Sequence, residues 1–246
     1  MKAFIHIIHS DFTRNVKKTH DWWVYRLKIL ENFIIQSLIN QSNKEFCYVI
    51  YLKKCFPDDL VPVLRNILER SGLKYSIIYY DKEGDIENRI KNDFGEAKYI
   101  YSTRIDTDDL FHKDVVKEIQ EYDFSWRRAL IYQSGYCYDC VNKRMRHHYM
   151  ICPPFHTIMY PYEIYIDIKK EEEYRNSKGG HDRIIHDMNS VILSDNKYIV
   201  LFHNQNNRSR YTEKNELKFI NIPENEHENI LKDFNINSNT YFEKII

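Results

Sequence analysis

Three carboxylates, Asp106, Asp108 and Asp109, follow an apolar run from Tyr99 to Ile105, in the order Ser102-Thr103-Arg104-Ile105-Asp106-Thr107-Asp108-Asp109-Leu110. Carboxylates gathered at the exit of a buried strand suit a hard divalent cation. Mg²⁺ or Mn²⁺ takes oxygen ligands, is held by one or two protein carboxylates and completes its shell from water and substrate phosphates. The chemistry implied is metal-assisted work on a phosphorylated substrate. The same residues would also suit a solvated turn capping a helix that starts at Leu110, because Asp is a favoured N-cap. An EF-hand does not fit: a loop of about 12 residues opening at Asp106 needs Gly sixth and Glu twelfth, and the chain has Phe111 and Lys117 there.

Further chemistry-bearing residues lie downstream. Gly179-Gly180-His181-Asp182 sets an acid where a helix begins, so Asp182 is either a candidate general base or an N-cap. His203 follows an apolar run and is either a late metal ligand or a hydrogen-bonded structural residue. Cys137, Cys140, Cys152 and His156 have a zinc-like spacing. If Tyr132 to Cys140 is a strand, however, residues three apart face opposite ways, which favours buried thiols. Lys143, Arg144, Arg146, His147 and His148 form a basic stretch without the aromatic series of a single-stranded nucleic-acid site. It reads as a solvated hairpin tip or as a surface for an acidic acceptor.

These residues need elements to position them. Ala3 to His9 reads as a buried strand, followed by a helix with Trp23, Leu27, Leu30, Ile34 and Leu38 on its apolar face. Phe46 to Leu52 is a second strand, followed by a helix near Asp58 that stops at Gly72. Tyr75 to Tyr80 is a third strand, Ile86 to Phe94 a short helix and Lys98 to Ile105 a fourth strand. Alternating strands and helices predict an α/β fold with a mostly parallel sheet, whose ligands sit beyond the strands' carboxyl ends. Next come a helix over Leu110 to Tyr122 and an antiparallel excursion from strands at Leu130 to Tyr138 and Arg146 to Ile151. A helix carrying Ile184, Ile185, Met188, Val191 and Ile192, and a strand from Lys197 to Phe202, complete the expectation. Residues 1–212 read as one domain and 213–246 as a tail with a peripheral helix and a mobile end.

Composition narrows the classes. The 36 basic and 36 acidic residues of the 246-residue chain cancel, giving no global electrostatic case for nucleic acid. Five cysteines, an odd number, fit a reducing compartment better than a disulfide scaffold. With no secretory signal and no run approaching the roughly 20 apolar residues of a span, the expected location is cytoplasmic, with peripheral membrane contact left open.

Thr103-Arg104-Ile105-Asp106-Thr107-Asp108-Asp109 resembles the Arg-hydrophobic-Asp-x-Asp-Asp signature of the rhamnosyltransferase-like family, within the nucleotide-sugar glycosyltransferases of GT-A fold. Trp23-x2-Arg26 with Phe33-x3-Ser37-Leu38-x2-Gln41 is similar to that family's first helix. Pro154-Phe155-His156-Thr157 and His203-Asn204-Gln205-Asn206 match later landmarks. The resemblance covers about residues 1 to 210. It implies a GT-A, Rossmann-like sheet and an inverting, hexosyl-type transfer from a nucleotide-diphosphate donor to a glycan or lipid-linked acceptor, with Mn²⁺ or Mg²⁺ as cofactor. Carried over, Asp106 would lie near the ribose and metal, Asp108 would be the direct ligand, Asp109 would support the metal site, and His203 would complete the shell. Arg104 and Asn206 would contact the donor, with structural pairing the other reading of Arg104. Asp182 would be the base and His181 would contact the acceptor or substitute for it. One departure concerns the donor: an acidic residue often follows the second strand in such enzymes, whereas this chain has Lys53-Lys54, with Asp58 or Asp59 nearby. Two other classes fit part of the pattern. One is a phosphohydrolase with Asp106 as nucleophile, although Leu110 stands where such enzymes carry Thr or Val. The other is an inactive carbohydrate-binding protein of the same fold.

Overall fold

Lys2–Phe12 forms the first strand, β1. Ile8 and Phe12 point into one apolar cluster and Ile5 and Ile7 into another, as the two-residue period of a strand requires. The computed structural model describes residues 2–12, 18–80, 82, 84–124, 128–174, 181–193, 196–203 and 221–236. The strands after β1 are β2 (Cys47–Leu52), β3 (Tyr75–Tyr79), β4 (Ala97–Arg104), β5 (Asp109–Phe111) and β6 (Ala129–Tyr132), then β7 (Ser134–Asp139), β8 (Arg144–Tyr149), β9 (His156–Pro161), β10 (Ser190–Leu193) and β11 (Tyr198–Phe202). A seven-stranded sheet runs in the order β10-β6-β9-β4-β1-β2-β3, and a second sheet in the order β5-β11-β7-β8. Within the large sheet β9 alone is antiparallel to its neighbours, β4 and β6.

Helices cover both faces of the large sheet. On one side α1 (His20–Ile29) runs through a π-helical turn, Leu30–Ile34, into α2 (Ile35–Ile39), and packs with α3 (Val61–Ser71) and α5 (Val115–Glu121). Trp23, Leu27, Leu30, Ile34 and Leu38 are all buried there. Each such side chain contributes roughly 1.5–3 kcal/mol on burial. Gly72 ends α3 in the left-handed region at φ 69°, which glycine adopts without a Cβ penalty. On the other side lie α4 (Asp85–Phe94), α6 (Tyr162–Tyr165), α7 (Ile168–Tyr174) and α8 (Ile184–Asp187). Finally α9 (Glu224–Lys232) sends Leu231 into a third cluster with Ile29, Phe33 and Leu201, so this part of the tail shares the core of the preceding residues. Among the described residues no helix is long and apolar enough to cross a membrane.

Three local expectations are corrected. Asp109–Phe111 is a strand rather than the start of a helix, and the helix begins only at Val115. Asp109 therefore does not cap it. Its pairing with Val200 is long-range and leaves no local periodic signal. Leu130 to Tyr138 splits at Gln133 into β6 and β7, which belong to different sheets. The helix placed over Ile184 to Ile192 ends at Asp187, and Ser190–Leu193 instead pairs in parallel with β6.

Two features carry expected outcomes. A Cβ on Gly135 would lie 2.6 Å from the Tyr198 ring and from the Tyr198 carbonyl oxygen. That ring is fully buried and stacked on Phe155 at 3.8 Å. Because the backbone oxygen cannot turn away, Gly135→Ala is expected to cost about 2 kcal/mol or more, read as a lower urea midpoint at unchanged slope. A midpoint equal to that of the wild type would contradict this close approach.

The second feature is a buried histidine. His6 Nε2 lies 2.8 Å from Thr103 Oγ1, and Gln120 Nε2 donates to His6 Nδ1 at 3.2 Å. Burial lowers the His6 pKa to about 3, while its ordinary value is 6.5. The unfolded chain thus takes up the proton first, and stability falls as pH drops below 6.5. Burial lowers His148 and His156 in the same direction. Between pH 6.5 and 4 the His6 contribution is about 3 kcal/mol. Urea unfolding across this window should show a shallower loss for His6→Gln than for the wild type, and parallel profiles would reject the assignment.

Candidate functional site

Alternate residues at the carboxyl ends of three adjacent strands project to one face. His9 and Asp11 of β1, Tyr51 and Lys53 at the end of β2, and Ser102 and Arg104 of β4 line a cleft of about 350 Å³. That volume is in the range of ligand sites, roughly 300–1,000 Å³. The antiparallel register of β9 sets His156 opposite Arg104 and Ile158 opposite Ser102, so the beginning of this strand closes the cleft beside the ends of its neighbours. The Tyr51 and Tyr165 hydroxyls meet at 2.9 Å. Burial pushes Tyr51 well above its ordinary value and Tyr165 to about 12, so both stay neutral hydrogen-bonding groups. Burial, then the Arg104 charge, hold His156 well below the usual histidine range, leaving it neutral.

His181 enters the same cleft from the turn His181–Arg183. Its Nδ1 lies 2.8 Å from the Cys152 carbonyl oxygen, and the Cys152 thiol donates back to the His181 carbonyl at 2.7 Å. A carbonyl can only accept, so Nδ1 carries a proton, and in the neutral tautomer of that ring Nε2 is the acceptor. Asp182 is exposed on the same turn and is not part of the cleft lining.

The carboxylates form a turn at the end of β4. The Ile105 N–H donates to the His9 carbonyl at 3.0 Å, and the Asp109 N–H to the Asp106 carbonyl at 3.2 Å. Asp106 Oδ1 accepts from Arg104 Nη2 at 2.8 Å. Asp108 Oδ2 accepts from Arg26 Nη1 at 2.5 Å and lies 3.2 Å from His203 Nε2, while Arg26 Nη2 donates to the Thr107 hydroxyl. With side chains 5% and 16% exposed, Arg26 is buried and Asp108 partly buried in their ion pair. Burial alone would raise the Asp108 pKa, but the Arg26 guanidinium and hydrogen bonds from His203 and Arg26 hold it well below the carboxylate range. Asp109 is different. Burial, then the Asp108 and Asp106 charges, raise it well above that range, against a hydrogen bond from the Leu201 N–H at 3.3 Å.

The structure therefore brings Asp108 and His203 together, pairs Arg104 with Asp106, turns Asp109 toward β11 and places His181 in the cleft. Asn206, Gly179 and Gly180 lie outside the described residues. The carboxylates as arranged do not fit a divalent ion, because a guanidinium and an imidazole already flank the Asp108 oxygen that would bind it. Among the described residues no group of three or more His, Cys, Asp or Glu side chains is disposed to hold a metal. The cysteines also stand apart: Cys140 donates to the Phe202 carbonyl, whereas Cys152 belongs to the opposite apolar cluster with Met188. Of the acids near Lys53-Lys54, Asp59 pairs with His20 at the surface, and the acids lining the cleft are Asp11 and Glu171. The sequence pattern offered only a weak sign of His9, Asp11, Tyr51 and Lys53, namely their i, i+2 spacing at strand ends.

A family described as "Putative rhamnosyl transferase" has a model that matches residues 11–216. This chain belongs to that family. No curated protein matches it. Among solved structures, S. aureus TarS 1–349 in complex with UDP-GlcNAc superposes with a TM-score of 0.50 at 13% identity, covering 86% of this chain and 63% of that one. The apo-form glycosyltransferase GlyE of Streptococcus pneumoniae TIGR4 gives 0.47 at 10% identity, with 99% and 63% covered. HddC of Yersinia pseudotuberculosis gives 0.44 at 13%, with 79% and 92% covered. The chain thus spans less than two thirds of the TarS chain, and the TarS likeness gives the fold, which is GT-A. Within this rhamnosyl transferase family member the sequence landmarks meet in space: Arg26 with Asp108 and His203, and His156 with Arg104.

Proposed function

We propose that this chain moves a hexosyl group from a nucleotide-diphosphate donor to a hydroxyl of a glycan or lipid-linked acceptor, with inversion. The observation that carries the reading is the cleft at the carboxyl ends of β1, β2 and β4, where Arg104 and Lys53 face tyrosines and His181. Such a site offers cations to a diphosphate, apolar ring faces to a base or sugar, and a basic nitrogen to an incoming hydroxyl. Family membership supports it, as do the TarS structures, which hold UDP and UDP-GlcNAc.

In the proposed step the acceptor oxygen forms a bond to the anomeric carbon as the bond from that carbon to the diphosphate oxygen breaks. The electron pair leaves with the nucleoside diphosphate, and Arg104 stabilises the charge that develops there. The acceptor proton passes to a base on the His181–Asp182 turn. His181 is favoured because its ring lines the cleft with Nε2 available, and Asp182 is the second candidate on the same turn. Asp11, at the end of β1, is a candidate partner for the ribose or base hydrogen-bond donors.

Calorimetric titration with a panel of nucleotide sugars tests this reading. At least one should bind to the wild type and bind about tenfold or more weakly to Arg104→Ala, the loss expected for a charge-assisted contact. Absence of binding across the panel, together with phosphatase turnover of simple phosphate esters, would sink the proposal.

A further inference from the structure

We infer that this chain engages its donor diphosphate without a divalent ion: Arg26 fills the cation position on Asp108, and Lys53 joins Arg104 in meeting the diphosphate charge. This rests on the donor reading above.

The first support is geometric. Arg26 Nη1 lies 2.5 Å from Asp108 Oδ2 and 3.2 Å from His203 Nε2, and those two atoms lie 3.2 Å from each other, so the guanidinium caps the pair of groups that a metal would need to ligate. Its other Nη donates to Thr107, and the Trp22 ring lies 5.6 Å from its central carbon. Arg26 is thus fixed from several sides. An ion reaching Asp108 would have to displace a buried guanidinium and leave it unpaired, which is strongly unfavourable.

The second support is the charge count. Arg26 pairs with Asp108 and Arg104 with Asp106. In these two pairs two cations already balance two carboxylates, so neither carboxylate needs a metal ion to neutralise it. The third support is Lys53. Lys53 lines the cleft on the same face as Arg104. A lysine there would repel a metal ion and attract a phosphate. Together Lys53 and Arg104 replace, at the cleft, the charge that a metal would bring.

The test titrates UDP, GDP and dTDP into the full chain, first with EDTA and then with MnCl₂, and follows Mn²⁺ binding to the nucleotide-free protein by electron paramagnetic resonance. Expected is a nucleotide whose affinity in EDTA is within about twofold of that in Mn²⁺, with Lys53→Ala weakening it about tenfold in both buffers. Arg26→Gln, which uncovers Asp108 and His203, should bind Mn²⁺ where the wild type does not. Nucleotide binding by the wild type that vanishes in EDTA and returns with Mn²⁺ would overturn the inference. So would Mn²⁺ binding to the nucleotide-free wild type as tight as to Arg26→Gln. If that variant does not fold, the wild-type comparison decides alone. If no nucleotide binds in either buffer, the donor reading fails, and the Mn²⁺ titration still judges the place given to Arg26.

Discussion

Arg26→Met should destabilise the protein by about 3 kcal/mol and Asp108→Leu by about 3–5 kcal/mol, whereas the double replacement should cost less than either alone. Each single change leaves a buried charge without its partner. The two are not equivalent. Without Arg26, Asp108 still has His203 at 3.2 Å to donate to it. Without Asp108, Arg26 keeps the Thr107 hydroxyl and the Trp22 ring, and neither carries a negative charge. The double replacement removes both charges from a pocket that Trp22 and Tyr25 already make apolar. Chemical denaturation of the four proteins closes a double-mutant cycle. A coupling of about 2 kcal/mol or more is expected, and an additive cycle would mean that the pair is not formed in solution. Acid adds a second readout. Because Asp108 is held below its ordinary value, its contribution is present at neutral pH and is lost as pH falls through and below the carboxylate range. The acid limb of stability should flatten in Asp108→Leu.

His181→Asn should lower the rate of sugar transfer by about 10²–10⁴-fold, the loss typical of a removed general base, with nucleotide affinity nearly unchanged. The asymmetry between rate and binding is the informative part. A side chain that merely shaped the cleft would alter both, whereas a proton acceptor acts only once the acceptor hydroxyl attacks. Cys152 orients the ring through its carbonyl, so Cys152→Ala, which keeps that carbonyl, should preserve most of the activity. Asp182→Asn separates the two candidates. If Asp182→Asn abolishes transfer and His181→Asn spares it, the role passes to Asp182. If both variants transfer normally, the base does not lie on this turn.

Much of the framework was readable because it depends on local periodicity. The alternation of β1 to β4 with helices, the buried face of α1 and α2, and the stop at Gly72 are written in neighbouring residues. The strands that escaped were those defined by distant partners. β5 is three residues long and exists through β11, while β9 and β10 acquire their identity only beside β4 and β6. At the site, Arg104, His181 and the Asp run stood out by chemical type. The meaning of Arg26 did not, since nothing near it in the chain announces that its guanidinium will meet a carboxylate 82 residues away. Lys53 stood out only as a misfit, and its place in the cleft explains why a cation sits there.

The π-helical turn at Leu30–Ile34 lets the helix carry one residue more than its two ends require. Arg26 holds the Asp loop, and fifteen positions later Gln41 accepts from the Val116 N–H and donates to the His112 carbonyl. α2 ends at Ile39, so the second grip comes from the turn just beyond the helix. The widened turn holds one residue more than an α-turn, and the helix with the turn after it grips the segment from residue 107 to residue 116. Glu31 and Asn32, in that turn, are only partly buried. Excising one residue there would leave an ideal helix whose two ends face nearly as before, a slack link removed from a chain between the same two pegs.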